Sequence, residues 1–139
     1  MVTMTKYADH LKTQIVYPPH HLKNTLGEVL EHHHLHQLRI AETEKFPHVT
    51  FFLNGGRETP FENEERILIA SPKVQTYDLM PKMRAFEITE AIIEGLASQK
   101  YDVIIANFAN ADMVGHCGEL PATIEAIEVL DQCFQKITQ

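Results

Sequence analysis

The spacing of hydrophobic and polar positions along this chain changes several times, and each change marks a predicted element. Residues 2 to 7, Val-Thr-Met-Thr-Lys-Tyr, alternate in type and predict a short strand. Tyr17-Pro18-Pro19 then forces an extended connection, and no further structure is expected until the prolines are passed. Thr25 with Glu28 three residues on has the form of a capping box, and Leu26, Val29 and Leu30 follow at helical spacing, so a helix is predicted over residues 25–33. Leu38-Arg39-Ile40-Ala41 predicts a short strand with Lys45 near its end. Residues 49–53 fit a strand on β-propensity, and residues 48–54 fit a short helix stopped by Gly55-Gly56 equally well; periodicity does not decide between them. Residues 55–65 are polar and rich in turn formers and read as a surface loop, followed by an extended Arg66-Ile67-Leu68-Ile69-Ala70 that ends at Ser71-Pro72.

From residue 82 to about 98, Phe86, Thr89, Ile92, Ile93 and Leu96 recur at spacings of three and four and predict an amphipathic helix. Residues 101–106, Tyr-Asp-Val-Ile-Ile-Ala, predict a buried strand of the kind found in parallel sheets. Pro121 suits the first turn of a last helix, with Ile124, Ile127, Leu130, Phe134 and Ile137 as its core face. Helix, buried strand, polar segment and helix in succession argue for an α/β layered fold with a mostly parallel sheet and flanking helices. No repeat or low-complexity linker interrupts it. The last helix stops at Gln139 with no closing strand, so the sheet is expected to be incomplete.

Composition narrows the function classes. The 139 residues make one ordinary domain, a size at which roughly 68% of the unfolded surface is buried. No apolar run approaches the roughly 20 residues of a membrane span, and the first residues lack the block of a signal peptide. A net charge of -7 argues against a nucleic-acid binder, which carries a basic face. Cys117 and Cys133 are too few for a disulfide framework and are not spaced as a zinc knuckle, so reduced thiols in a cytoplasmic setting are expected.

The candidate chemistry lies in Asn107-Phe108-Ala109-Asn110-Ala111-Asp112-Met113-Val114-Gly115-His116, just past the apolar strand. Loops at the carboxyl ends of strands are the usual ligand sites of open α/β sheets, and a carboxylate with an imidazole suits a borderline divalent cation such as Mn²⁺ or Zn²⁺. On spacing alone, a turn aspartate beside a surface histidine explains the pair as well, and Lys45 reads as a solvated lysine. His32-His33-His34 with His36, and His20-His21, read as a polar helix end and loop, with adventitious Ni²⁺ or Zn²⁺ capture as their other chemistry. Cys117 reads as a small buried or half-buried residue, Gly55-Gly56 as a turn rather than a phosphate cradle, and Arg57 as no more than a neighbour of substrate.

Longer blocks carry more. Arg39-Ile40-Ala41-Glu42-Thr43-Glu44-Lys45-Phe46-Pro47-His48-Val49-Thr50-Phe51-Phe52, followed by Asn54-Gly55-Gly56-Arg57-Glu58, closely resembles the cofactor-independent (2,3-bisphosphoglycerate-independent) phosphoglycerate mutases. Three more blocks agree in order: Leu22 to Val29, then Ser71-Pro72-Lys73-Val74 with Thr76-Tyr77-Asp78, then Asn107-Phe108-Ala109-Asn110 with Asp112-Met113-Val114-Gly115-His116. The Arg-Ile-Ala-Glu-Thr-Glu-Lys block argues against two alternatives in the same superfamily, a phosphatase and a phosphopentomutase. A stand-alone, non-catalytic metal-binding or interaction module is the alternative of a different class.

The resemblance implies a metalloenzyme of the alkaline phosphatase superfamily that interconverts 3-phosphoglycerate and 2-phosphoglycerate. It implies a phosphoserine intermediate, two Mn²⁺ ions and no requirement for 2,3-bisphosphoglycerate. In family terms Asp112 and His116 are two ligands of one manganese, and Lys45 is the catalytic and substrate-binding lysine beside the transferred phosphoryl group. Residues 1–139 correspond to a single partial domain, the middle-to-late part of the phosphatase domain. The nucleophilic serine, the transferase domain and the remaining ligands fall outside it. The chain alone is therefore expected to be inactive, to bind Mn²⁺ weakly at most, and to self-associate through open sheet edges.

Overall fold

The computed structural model describes residues 1–139 except Asp9, Pro19 and His21, so those parts of the Pro18-Pro19 connection and the His20-His21 pair lie outside the described residues. In chain order the elements are β1 (Val2–Thr3), β2 (Gln14–Ile15), α1 (Leu26–His32), β3 (Gln37–Glu42), a 3-10 turn (Thr43–Lys45) and α2 (Phe46–Val49). There follow β4 (Glu64–Ile69), a second 3-10 turn (Tyr77–Leu79), α3 (Ala85–Ala97), β5 (Val103–Asn107), α4 (Asn110–Gly115) and α5 (Leu120–Ile137).

Pairing begins before the prolines, contrary to the sequence expectation. β1 and β2 form a parallel pair with Val2 opposite Gln14 and Thr3 opposite Ile15, and the Thr3 and Thr13 hydroxyls lie 3.0 Å apart. Only two of the six alternating residues at the start are strand. The capping box holds α1 as expected: Thr25 Oγ1 accepts from the Glu28 N–H at 3.4 Å. The Glu28 carboxylate returns to the Asn24 N–H at 2.5 Å, one residue before the cap.

The ambiguous segment is neither strand nor helix over its length: α2 ends at Val49, and residues 50–55 are turns in which the Asn54 N–H donates to Thr50 O at 2.8 Å. Pro47 occupies the first turn of α2, the Thr50 hydroxyl at its end donates to Phe46 O at 2.7 Å, and Gly55 and Gly56 close the turns that follow with φ of 67° and 89°, a region that favours glycine. The polar loop that follows is exposed from Gly56 to Pro60, as its composition predicts, and is anchored by one apolar side chain. Phe61 is buried and its ring lies so close to α1 that a Cβ on Gly27 would sit 2.6 Å from it. β4 begins two residues before the apolar run.

The larger sheet has the order β4-β3-β5, all parallel. One face presents Leu38 and Ile40 to Ile88 and Ile92 of α3, with Ile104, Ala106 and Phe108 around them. α3 lies close enough that a Cβ on Gly95 would be 3.0 Å from both Leu38 and Ile104, which explains a glycine within an otherwise well-formed helix. The opposite face carries Gln37, Arg39 and Ala41 toward the α1 and α2 side, where Gln37 Nε2 donates to Gly27 O at 3.1 Å and α2 packs on β3 and β5. The result is the expected α/β fold with a parallel sheet and flanking helices.

Three burial expectations are corrected. The core face of α3 is formed by Ile88, Thr89 and Ile92, while Phe86 is half-buried and Ile93 and Leu96 of the predicted stripe are exposed, because the helix faces the sheet through Gly95. The apolar strand β5 is half-buried, because among the described residues it has β3 on one side and no strand on the other. The core face of α5 is formed by Ala126, Val129 and Cys133, while Ile124, Ile127 and Phe134 are about half exposed and Leu130 and Ile137 intermediate. Small residues win there because α5 packs against both α3 and α4, meeting α3 at Ala85. No helix among the described residues is long and apolar enough to cross a membrane.

Candidate metal centre

β3 and β5 are neighbours, with Ala41 opposite Asn107, so the segments that leave their carboxyl ends emerge side by side. From β3 the chain turns through Thr43–Lys45, which places Lys45 above the sheet. From β5 it passes into α4, which carries Asp112 in its first turn and ends at His116. The segment read as a ligand loop is thus a short helix, and the four-residue spacing puts carboxylate and imidazole on one face.

The three candidate residues meet. Lys45 Nζ donates to Asp112 Oδ2, and His116 Nε2 lies 3.4 Å from Asp112 Oδ1. The Lys45 side chain is 14% exposed against 51% for Asp112 and 76% for His116, so the ammonium is the sheltered partner and the open side of the carboxylate faces the imidazole. The Lys45 hydrogen bond holds the Asp112 carboxyl below the usual range, helped by the charges of Lys45, His116 and His48. Asp112 is therefore an ionised carboxylate, the state a metal ligand needs.

The donor set suits a divalent cation in type and falls short in number. One carboxylate and one imidazole can occupy two positions around Mn²⁺ or Zn²⁺. Among the described residues no group of three His, Cys, Asp or Glu side chains is placed to hold a metal ion. Cys117 is half-buried as expected, with its thiol 3.6 Å from Met113 O. Arg57 donates to Thr59 O and Pro60 O and lies 4.2 Å over the Phe61 ring, which ties it to its own loop.

Sequence reasoning gave no role to several residues around the centre. The Tyr77 hydroxyl donates to Glu44 Oε1 at 2.8 Å, beside Lys45. Burial first, and Glu44 second, raises the Tyr77 pKa and keeps this hydroxyl a donor. Asn110 is fully buried, donates to Pro81 O at 2.8 Å and leaves its Oδ1 without a protein partner. The charge of His48 acts on Asp112 from the turn after Lys45, a placement that the three-residue spacing from Lys45 to His48 hints at. Nothing local in the sequence marks the contact from Glu44 to Tyr77.

Comparison with known proteins places the chain in a family. The profile of the Metalloenzyme superfamily matches residues 8–139. The 2,3-bisphosphoglycerate-independent phosphoglycerate mutase of Legionella pneumophila (strain Philadelphia 1) is 59% identical over 138 residues, which are 99% of this chain and 27% of that protein. The enzyme of the same name from Ehrlichia ruminantium (strain Gardel) is 57% identical over 136 residues, 98% of this chain and 27% of the relative. Among solved structures, Leishmania mexicana phosphoglycerate mutase, crystallised at low cobalt concentration, superposes with a TM-score of 0.88 at 37% identity, covering 98% of this chain and 25% of that one. The chain spans roughly a quarter of the length of these relatives. With a family profile matched over nearly its whole length and an aspartate–histidine pair at the carboxyl end of a parallel sheet, the chain belongs to the metalloenzyme superfamily.

Proposed function

We propose that these residues are part of the metal-binding domain of a 2,3-bisphosphoglycerate-independent phosphoglycerate mutase, the isomerase that interconverts 3-phosphoglycerate and 2-phosphoglycerate. The observation that carries this reading is the meeting of Lys45 with Asp112 and His116 across two adjacent strand ends. Similarity to relatives bearing that name supports it.

Asp112 and His116 would hold one divalent cation, with Mn²⁺ the ion the family resemblance implies; when bound, it supplies positive charge to the phosphoryl oxygens. Lys45 is a second source of that charge. Its ammonium is a compact point charge on a flexible stem, suited to following a phosphoryl group from one glycerate hydroxyl to the other. Phosphoryl transfer asks little else of a protein than in-line placement and charge neutralisation.

With only two ligands, a chain of these residues alone binds Mn²⁺ weakly and turns over no 3-phosphoglycerate. The half-exposed Ile124, Ile127 and Phe134 of α5 and the outer edges of β4 and β5 support self-association of the isolated chain. The test is a Mn²⁺ titration of the purified chain followed by broadening of the His116 ring resonances. Weak broadening that disappears in Asp112→Ala is expected, with no turnover in a coupled assay and light scattering above the monomer value. Micromolar or tighter binding lost in Asp112→Ala would overturn the incomplete site. Turnover lost in Lys45→Ala would overturn the predicted inactivity, and a monodisperse monomer at high concentration would remove the self-association.

A further inference from the structure

Four consecutive residues at the end of β3 reach four different points of the chain. The fully buried Glu42 accepts from the Arg84 N–H at 2.9 Å, and the Thr43 hydroxyl accepts from the Ser71 N–H at 3.2 Å. Glu44 accepts from the Tyr77 hydroxyl at 2.8 Å, and Lys45 donates to Asp112. The first three anchors all lie on residues 71–84, the connection between β4 and α3.

Tyr77 is the anchor with two attachments. Its ring packs with Met113 against the cluster of Met83, Ala109, Val114 and Ala126, in which Val114 and Met113 belong to α4. Its hydroxyl reaches the turn that carries Lys45. One side chain therefore touches both halves of the candidate site. The next residue lies near the same end of the site, since Thr76 in its own turn, and after it Cys117 just past α4, hold the Asp78 carboxyl below its ordinary range.

A brace is needed at this place. Lys45 and Asp112 both lie beyond the ends of their strands, so no sheet hydrogen bond fixes the distance between the 3-10 turn and α4. A lysine stem is flexible, and misplacing a charge by about 1 Å can cost on the order of a hundredfold in rate.

We infer that Tyr77 is a positioning residue for Lys45: its ring, seated against α4, and its hydroxyl, bonded to Glu44, set the spacing between Lys45 and the Asp112–His116 pair. The inference rests on the proposed role of Lys45 at the phosphoryl site. It also gives a role to the Thr76-Tyr77-Asp78 block, which the proposed chemistry does not otherwise use.

The test reads Lys45 directly in the full chain and needs no turnover. Lysines are acylated with an N-hydroxysuccinimide ester, and the rate at Lys45 is measured by peptide mass mapping against the exposed Lys12 and Lys23. Tyr77→Phe keeps the ring and removes the bond; it is expected to raise Lys45 acylation roughly two- to tenfold, the span that one hydrogen bond corresponds to. Glu44→Ala should reproduce the rise, and Glu44→Gln, which keeps an acceptor, should restore the original rate. A purely structural role would move the urea midpoint without that rescue. An unchanged Lys45 rate in Glu44→Ala overturns the inference, and this variant decides even where Tyr77→Phe does not fold, because Glu44 is exposed. Failure of the metal reading shows separately, as absence of Asp112-dependent broadening at His116.

Discussion

β3 and β5 invert the usual relation between composition and burial. β3 reads Gln-Leu-Arg-Ile-Ala-Glu and is buried at every residue; β5 reads Val-Ile-Ile-Ala-Asn and is half-buried throughout. Position in the sheet decides this, since β3 lies between two neighbours and β5 has one among the described residues. The buried polar side chains of β3 find partners along the strand and outside the sheet: Gln37 donates to Gly27 O and accepts from Arg39, and Glu42 accepts from the Arg84 N–H. Arg39 lies opposite Arg66, and Glu64, two residues earlier on β4, supplies the negative charge that acts on Arg39 and bonds Arg66 Nε at 2.6 Å. Glu64 also accepts from Asn54 Nδ2 at 2.9 Å and from the Phe61 N–H at 3.1 Å. Arg39 itself donates to Gln37 Oε1 and leaves its Nε and Nη1 without a protein partner, so burial lowers its pKa against the opposing charge of Glu64 and the centre of the sheet is a charge cluster only partly compensated.

That contrast is open to three perturbations of decreasing size. Glu64→Ala leaves Arg39 and Arg66 without a buried carboxylate and should cost about 3–5 kcal/mol in urea unfolding. A loss below about 1 kcal/mol would mean that β3 does not depend on its charged neighbour. Ile104→Ala on β5 should cost less, about 1–2 kcal/mol, below the span for fully buried sites because β5 is half-exposed. Equal losses in the two variants would erase the distinction between central and outer strand.

The smallest effect is one of pH. Burial, opposed by the Arg84 N–H bond, raises the Glu42 pKa above its ordinary value. Between the ordinary glutamate value of about 4.3 and the raised one, the folded state holds a proton that the unfolded state lacks. Stability from this group is therefore full at low pH and is lost as pH rises through the raised value. Glu42→Gln should match the parent chain in acid and become the more stable of the two toward neutrality, by less than Ile104→Ala costs. Parallel stability curves for the two chains would contradict the assignment.

The sequence carried the elements better than their environments. Thr25 and Glu28 announced α1, while of the stripe predicted for α3 only Thr89 and Ile92 are buried, and Ile88 rather than Ile93 or Leu96 joins Ile92 in the core. In α5 the large residues at helical spacing marked the wrong face, because the tight junction with α3 selects Ala126 and Cys133 over Ile124 and Ile127. Arg39 gave no sign of being fully buried, since the carboxylate whose charge acts on it, Glu64, sits on another strand. Lys45, Asp112 and His116 were legible as residue types and through the family blocks. Their meeting depends on the register of β3 with β5, and the Tyr77 contact on a fold that no window of sequence displays.

The order of strands also sets a timetable for synthesis. β3 leaves the ribosome before either of its neighbours, β4 follows later and β5 later still. At roughly 5–20 residues per second, Arg39 waits seconds for Glu64 and longer for the strand that covers the other edge of β3. During that interval the future centre of the sheet is a strand with two bare edges and an unneutralised guanidinium. Its hydration is given up only when the sheet closes over it, in exchange for the bond to Gln37 and the field of Glu64.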